Sequence, residues 1–142
     1  MQVVDLMAKS VTTLKATDSA LQAKELMMRQ RIRHIPIVSS ENDLEGLVTQ
    51  RDILAAALSR FADVDMTIQE EIDAGIPLAS IMITDVIVVS PGCPIRKAAD
   101  VMLTRKLGCL PVVEGQKLVG ILTEADFLKL VVELLDALDN SA

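Results

Sequence analysis

The stretch His34-Ile35-Pro36-Ile37-Val38 returns 75 residues later as Cys109-Leu110-Pro111-Val112-Val113. Each stretch is a short apolar run rich in β-branched residues, with a proline at the same place. Such runs predict strands, here over 35–38 and 110–113. The chain therefore contains one kind of segment twice.

The repetition holds far beyond these strands. A shift of 75 residues places Met7 on Met82 and Ala23 on Ala98. After a loop that is one residue shorter in the second copy, a shift of 74 pairs Leu44, Gly46, Thr49, Asp52 and Leu54 with Leu118, Gly120, Thr123, Asp126 and Leu128. Self-similarity in register over a whole unit indicates an internal duplication.

Both copies have the same pattern of predicted elements, β-α-β-β-α. The first strands are predicted at Val11–Leu14 and Val86–Val89, and apolar residues at helical spacing follow them. A hairpin comes next in each copy, with predicted loops at Ser39–Asp43 and Glu114–Lys117. The second helices begin after Thr49 and Thr123. The predicted fold class is α/β, of the α+β kind, with two pseudo-symmetric repeats.

The division expected from this pattern is repeat 1 at residues 1–58, a linker at 59–77 and repeat 2 at 78–142. Thr67-Ile68-Gln69-Glu70 has the spacing of a capping box, and Gly75 with Pro77 can end a helix, so we expect a short helix in the linker. Repeat 2 ends in a long amphipathic helix. Its apolar stripe fits a core helix or a dimer seam equally well: Phe127, Leu130, Val131, Leu134, Leu135 and Leu138.

The amino-acid composition argues against several classes of function. The 142 residues carry a net charge of −6 and include two Phe but no Tyr or Trp, which disfavours nucleic acid as a partner. No stretch reaches the ~18–20 uncharged apolar residues that a membrane helix needs, and no signal peptide is evident. Cys93 and Cys109 form neither a disulfide framework nor a metal-ligand pattern. We expect a cytoplasmic protein without a metal site.

The chain resembles the cystathionine-β-synthase (CBS) domain family. The resemblance rests on 34–38 followed by Gly46-Leu47-Val48-Thr49-Gln50-Arg51-Asp52, on their counterparts in copy two, and on the heads Asp5-Leu6-Met7 and Ser80-Ile81-Met82. It implies a Bateman module: two repeats packed through their sheets, often a homodimer, with AMP, ADP, ATP or S-adenosylmethionine bound in the cleft between them. Such modules regulate a partner protein, for example in energy sensing.

The motif Thr-x-x-Asp places a hydroxyl and a carboxylate at the start of a helix. One interpretation is helix capping by Thr49 and Thr123, with Asp52 and Asp126 in the first turn. In the other, which the resemblance favours, the threonines lie near a phosphate and the aspartates accept the ribose hydroxyls. Both interpretations remain open from the sequence.

Basic residues distinguish the two copies. Copy one has Arg33, His34 and Arg51 where copy two has Gly108, Cys109 and Ala125. In the family, the residues before the proline-containing strand often face a phosphate, which implies unequal sites with the phosphate bound by copy one. Alternatively, these arginines are solvated or pair with Glu41, Asp43 or Glu45, and His34 is a structural residue.

The adenine base of the implied ligand needs an apolar pocket. Thr13 and Val88 resemble the family positions that flank it, and its possible walls are Ile35, Pro36, Leu110 and Pro111. Catalysis is not expected, because Cys109 with His34 is the only candidate pair of a nucleophile and a general base, and no third group orients them.

The predicted function is a regulatory module that binds an adenine nucleotide, assembles as a homodimer, acts on an unknown protein partner and requires no cofactor. The alternatives are a scaffold that binds no nucleotide and a sensor of S-adenosylmethionine.

Overall fold

The computed structural model describes residues 1–60 and 66–141, except the side chains of residues 57–60, 66, 67 and 69. The chain divides into two compact units. The copy-one unit comprises Thr12–Val86, and the copy-two unit comprises Met1–Val11 together with Ile87–Ala142.

The copy-one unit is built on an antiparallel hairpin. Its strands are β1 (His34–Val38) and β2 (Leu44–Thr49), and its helices are α2 (Ala20–Gln30), α3 (Gln50–Arg60) and α4 (Met66–Gly75). One face of the hairpin packs against the helices, with Ile35, Ile37 and Val48 fully buried. The predicted hairpin and both predicted helices of this copy are confirmed.

The copy-two unit repeats this arrangement with β3 (Cys109–Glu114), β4 (Lys117–Thr123), α5 (Ile95–Arg105) and α6 (Glu124–Asn140), and it adds α1 (Val3–Leu6). The fully buried residues of its core are Val3, Ala98, Leu110, Val112 and Leu122. The hairpin loop is shorter than predicted, since pairing extends to Glu114 and Lys117 and leaves only two residues in the turn.

The predicted first strands are reduced to single bridges. Leu14 pairs in parallel with Ile37, and Val89 with Val112. The next rung of each ladder would need a backbone N–H from Pro36 or Pro111, which proline lacks. The prediction of full strands at 11–14 and 86–89 was therefore wrong, and the two prolines in the sequence explain why.

The segment at the start of each sequence copy, which we call its head (residues 5–8 and 80–83), pairs with the hairpin of the other copy. Ala8 exchanges two backbone hydrogen bonds with Ile121 on β4, of 2.9 and 3.0 Å. Ile83 does the same with Leu47 on β2, at 2.8 and 2.9 Å. The packed units thus contain parts of both predicted repeats.

Two glycines leave the space that these heads occupy. A Cβ atom on Gly120 would lie 2.6 Å from Met7 Sδ and 2.9 Å from the Ala8 carbonyl oxygen. A Cβ atom on Gly46 would meet Met82 Sδ at 2.8 Å and the Ile83 carbonyl oxygen at 2.9 Å. Both glycines are required because a backbone atom of the head, which cannot rotate away, occupies that space.

Gly120→Ala is expected to lower the free energy of unfolding by about 1–3 kcal/mol, because the head must shift to relieve the overlap. Urea unfolding followed by far-UV circular dichroism measures this change. Gly92→Ala is the control, since its added Cβ would meet nothing within 4 Å. Equal stability of the two variants would show that the head is not held against β4.

The predicted linker helix is confirmed as α4, which ends at Gly75 as expected. It begins at Met66, and the predicted cap at Thr67 lies outside the described side chains. The carboxylate of Asp73 is buried, with 2% of the residue exposed, and its Oδ2 lies 3.5 Å from Lys24 Nζ on α2. This ion pair joins α4 to α2 within the copy-one unit.

Lys24→Met is expected to destabilise the chain by about 1–3 kcal/mol, because a buried carboxylate loses its cation. Adding Asp73→Asn should recover much of that loss, since the buried group is then neutral. Thermal unfolding at neutral pH measures both variants against Arg29→Met, an exposed cation on the same helix. Lys24→Met and Arg29→Met with equal melting temperatures would contradict the assignment.

The last helix, α6, has no buried residue. Phe127 packs against the copy-two core and Leu130 is partly buried, but the later residues of the stripe are exposed, Leu138 at 66% and Leu134 at 56%. The core interpretation therefore holds only for the start of this helix, and its C-terminal half extends beyond the core. None of the described helices is long and apolar enough to cross a bilayer.

Candidate ligand-binding site

The copy-one motif forms a tight cluster at the start of α3. Asp52 Oδ2 accepts hydrogen bonds from the Thr49 backbone N–H at 2.9 Å and from Thr49 Oγ1 at 2.8 Å. Thr49 Oγ1 lies 3.2 Å from the Asp52 backbone nitrogen, whose N–H it accepts. This reciprocal arrangement is a capping box.

Copy two has the same arrangement at the start of α6. Asp126 Oδ2 accepts from the Thr123 backbone N–H at 2.9 Å and from its hydroxyl at 3.3 Å. The capping interpretation is thus correct for both copies. Within the described part of the chain, Oδ1 of each aspartate makes no hydrogen bond, so capping leaves one carboxylate oxygen for a ligand.

The hairpin register brings the basic residues of copy one to this cluster. His34 pairs with Thr49 across the strands, and the Gln50 N–H donates to the Arg33 carbonyl at 2.9 Å. We call this end of the unit the copy-one pole, defined by Arg33, His34, Thr49, Arg51 and Asp52.

The charge of the copy-one pole is concentrated on two exposed arginines. Among the described residues, neither Arg33 nor Arg51 forms an ion pair, and the predicted alternative of pairing with Glu41, Asp43 or Glu45 is not found. His34 is partly buried and has an interaction partner of its own. The arginines are therefore the groups available to an anion.

The equivalent copy-two pole comprises Gly108, Cys109, Thr123, Ala125 and Asp126. Cys109 pairs with Thr123, and the Glu124 N–H donates to the Gly108 carbonyl at 3.2 Å. The backbone matches copy one, but none of these five positions carries a cation, and Glu124 adds a carboxylate where copy one has Gln50. The predicted asymmetry in charge is present in the structure.

Cys109 is buried in the copy-two unit, and this burial raises the pKa of its thiol from 9.0 to about 12. A protonated, enclosed thiol is a poor nucleophile. The candidate pair of Cys109 with His34 therefore has no activated sulfur.

Thiol titration with Ellman's reagent at pH 8 should find one reactive group in the native chain and two after denaturation. Cys93, which is partly exposed, is the reactive one, and Cys93→Ser should abolish the native signal. Because only the unfolded chain releases the Cys109 proton above pH 9, the free energy of unfolding should also fall as the pH rises from 9 toward 12. A native Cys93→Ser chain that reacts rapidly would contradict the burial.

Thr13 and Val88 occupy equivalent places beside the single-residue bridges. Their neighbours Leu14 and Val89 pack into the two cores. Because side chains alternate along extended backbone, Thr13 and Val88 point away from those cores. Val88 is 38% exposed.

Val88 also lines a groove of about 470 Å³ in the copy-two unit. The groove is mostly apolar, with Lys97 as its one cation, and is formed by Ile87, Val88, Val89, Ser90, Gly92, Cys93, Pro94, Lys97 and Val101. Of the predicted site residues, only Val88 lines it. The apolar pair Ile87-Val88, which replaces Thr12-Thr13 of copy one, is the sequence signal that could have identified it.

The predicted walls lie deeper than expected. Ile35, Pro36, Leu110 and Pro111 are all fully buried, and the two aliphatic residues belong to the unit cores. Their side chains support the poles from beneath. In residues 1–60 and 66–141, no group of three or more His, Cys, Asp or Glu side chains could hold a metal ion.

Each unit contains one hairpin and one Thr-x-x-Asp motif at its end. The chain is therefore a duplicated α+β module. The CBS domain family matches residues 3–59 and 78–133, which is most of the chain. The protein belongs to this family and is a tandem CBS domain pair.

Solved structures agree over nearly the full length. A protein from Vibrio cholerae assigned to acetoin utilization (AcuB) is 37% identical, with a TM-score of 0.86 over 98% of this chain and 97% of that one. The CBS domain pair of protein MJ0100, solved with 5′-methylthioadenosine and S-adenosyl-L-methionine, is 26% identical, with a TM-score of 0.77 over 94% and 97%.

The uncharacterized protein MJ1225 of Methanocaldococcus jannaschii is 33% identical over 127 residues. This match covers 89% of the present chain but 41% of the relative, so the chain spans less than half of that protein.

Proposed function

We propose that this CBS pair is a regulatory module that binds an adenine nucleotide, with the copy-one pole as its phosphate and ribose site. The observation that carries the proposal is the placement of two exposed arginines without ion pairs beside a carboxylate that keeps one oxygen free. A phosphate suits Arg33, Arg51 and the positive end of α3. Asp52 Oδ1 suits the vicinal hydroxyls of a ribose.

A groove beside Val88 gives the copy-two unit an apolar surface of the kind that a base requires. The groove in the copy-two unit is large enough for a planar ring, since small-molecule sites begin at about 300 Å³. Its lining has no aromatic side chain, so a base would be held by aliphatic contacts and backbone groups.

Ligand occupancy would be read by a protein partner through a change between two states of the pair. Such coupling typically amounts to about 1–3 kcal/mol and requires different affinities for the two states. A second copy of the chain is part of the proposal, because several large apolar side chains stay exposed, among them Met28, Leu54, Leu103 and Leu128. A reducing cytoplasm suits the two free thiols.

Isothermal titration calorimetry with AMP, ADP, ATP and adenosine tests the site. Each charge-assisted hydrogen bond contributes about 1.5–3 kcal/mol, so Asp52→Asn should weaken AMP binding about ten- to a hundredfold. Arg33→Met with Arg51→Met should weaken AMP by a similar factor and leave adenosine unchanged. Arg29→Met, an exposed cation away from the pole, is the matched control.

Asp52 also caps α3, and the loss of a helix cap costs about 0.5–2 kcal/mol of stability. Thermal unfolding must therefore first show that no variant loses more stability than this. AMP affinity that survives the triple variant Arg33→Met, Arg51→Met, Asp52→Asn would contradict the site. A melting temperature unmoved by millimolar amounts of every adenine ligand would contradict nucleotide binding and favour the non-binding scaffold.

A second candidate is a sensor of S-adenosylmethionine or 5′-methylthioadenosine, favoured by the ligands of the MJ0100 pair. The copy-two pole suits a ligand without phosphate, because it lacks cations and carries Glu124 beside Asp126. Titration with both compounds distinguishes the candidates. Here Asp126→Asn should abolish binding, and the two arginine substitutions should leave it unchanged.

A further inference from the structure

The two copies differ around the start of their first long helix. In copy one, Ser19 and Gln22 form a capping box at the start of α2, and the Asp18 carboxylate accepts the Lys15 backbone N–H at 2.8 Å. In copy two, Pro94 stands at the cap position of α5 and its side chain accepts no hydrogen bond. Five polar residues of copy one correspond to small or apolar residues that line the copy-two groove: Thr12, Thr13, Thr17, Asp18 and Ser19 correspond to Ile87, Val88, Gly92, Cys93 and Pro94.

The groove has one cation, Lys97, which holds the position of Gln22 in copy one. The Gln22 side chain is engaged in its cap, with Oε1 accepting the Ser19 backbone N–H at 2.7 Å. Pro94 has no N–H to donate, so no such bond can hold Lys97. Lys97 is exposed and forms no ion pair within residues 1–60 and 66–141. Because none of the described lining residues is acidic, the groove favours an anion in a chain whose net charge is −6.

The rest of the lining offers accessible apolar surface. Ile87 and Val88 are 36% and 38% exposed, and a Cβ atom on Gly92 would meet nothing within 4 Å. The volume of about 470 Å³ lies within the usual range of small-molecule sites, about 300–1,000 Å³. A ligand that complements this lining combines an aliphatic chain with one negative charge.

We propose that the groove binds an aliphatic carboxylate, with the chain on Ile87 and Val88 and the carboxylate at Lys97. An ammonium group donates strong hydrogen bonds to a carboxylate, and the Ser90 hydroxyl, which also lines the groove, is a further donor. One cation suits the single charge of a carboxylate better than the double charge of a phosphate. This ligand class goes beyond the proposed nucleotide function, and its binding does not depend on the copy-one pole.

Hexanoate tests the groove, and the thiol of Cys93 reports its occupancy because Cys93 lines the groove and Cys109 is buried. A ligand with so few atoms should bind with a Kd of about 1 mM. At about 10 mM, hexanoate should therefore slow the alkylation of Cys93 by iodoacetamide at least about threefold, measured by mass spectrometry. Hexanamide, which has the chain without the charge, and acetate, which has the charge without the chain, should both give little protection.

Three variants identify the contacts, with hexanoate affinity measured by NMR titration. Lys97→Met should weaken binding at least about threefold, because the carboxylate loses its cation. Gly92→Leu should abolish binding, because its side chain fills the groove without changing the charge. Arg96→Met is the matched control, since Arg96 is an exposed neighbour that does not line the groove, and its affinity should equal that of the wild type. Circular dichroism should show that all three variants fold.

The outcomes separate this site from the nucleotide site, because AMP binding is titrated independently. A chain that binds hexanoate but not AMP would support the carboxylate site and contradict the proposed function alone. A chain that binds AMP but shows no saturable binding of hexanoate up to about 20 mM would overturn the carboxylate site alone. Equal protection by hexanamide and hexanoate, or unchanged hexanoate affinity in Gly92→Leu, would also overturn it.

Discussion

The close approach of a methionine-bearing head to a glycine on the opposite hairpin is the constraint on which both units depend. Gly46 and Gly120 leave room for Met82 and Met7, and the backbone of each head then pairs with β2 or β4. Without that segment, the outer strand of each hairpin would expose unpaired backbone groups to solvent. Neither copy completes its own unit, so the duplication is structurally obligatory.

The pairing of each head with the hairpin of the other copy also connects the heads to the two poles. Strand β4 pairs with Ala8 at Ile121 and ends two residues later at Thr123, the cap of α6. Strand β2 pairs with Ile83 at Leu47 and likewise ends at Thr49. A ligand bound to Asp52 or Asp126 would thus contact the end of a strand that holds the head of the other copy. Short, rigid connections of this kind suit a module that transmits occupancy, because packed elements shift together.

The sequence predicted most of the fold because duplication supplies each pattern twice. Hairpins, helices and the linker helix followed from local periodicity, and the capping geometry followed from Thr-x-x-Asp. The length of the first strands was missed because one missing N–H, at Pro36 or Pro111, ends the ladder. Ile35 and Leu110 were predicted as walls of a base site and are buried in the cores, because a strand pattern does not say which apolar residues line a surface. The exchange of heads involves long-range packing, which local patterns do not contain.

The divergence between the copies carries the functional argument, because the scaffold beneath it did not change. Both poles have the same register, the same capping box and the same hydrogen bond from the helix start to the preceding strand. The side chains on this shared backbone differ: the exposed Arg33 and Arg51 of copy one correspond to Gly108 and Ala125, and the partly buried His34 corresponds to the buried Cys109. The two cores use apolar residues at equivalent positions, such as Ile35 and Leu110 or Val48 and Leu122, so the difference in charge has no counterpart in the packing, and this supports the proposal of an anionic ligand at copy one.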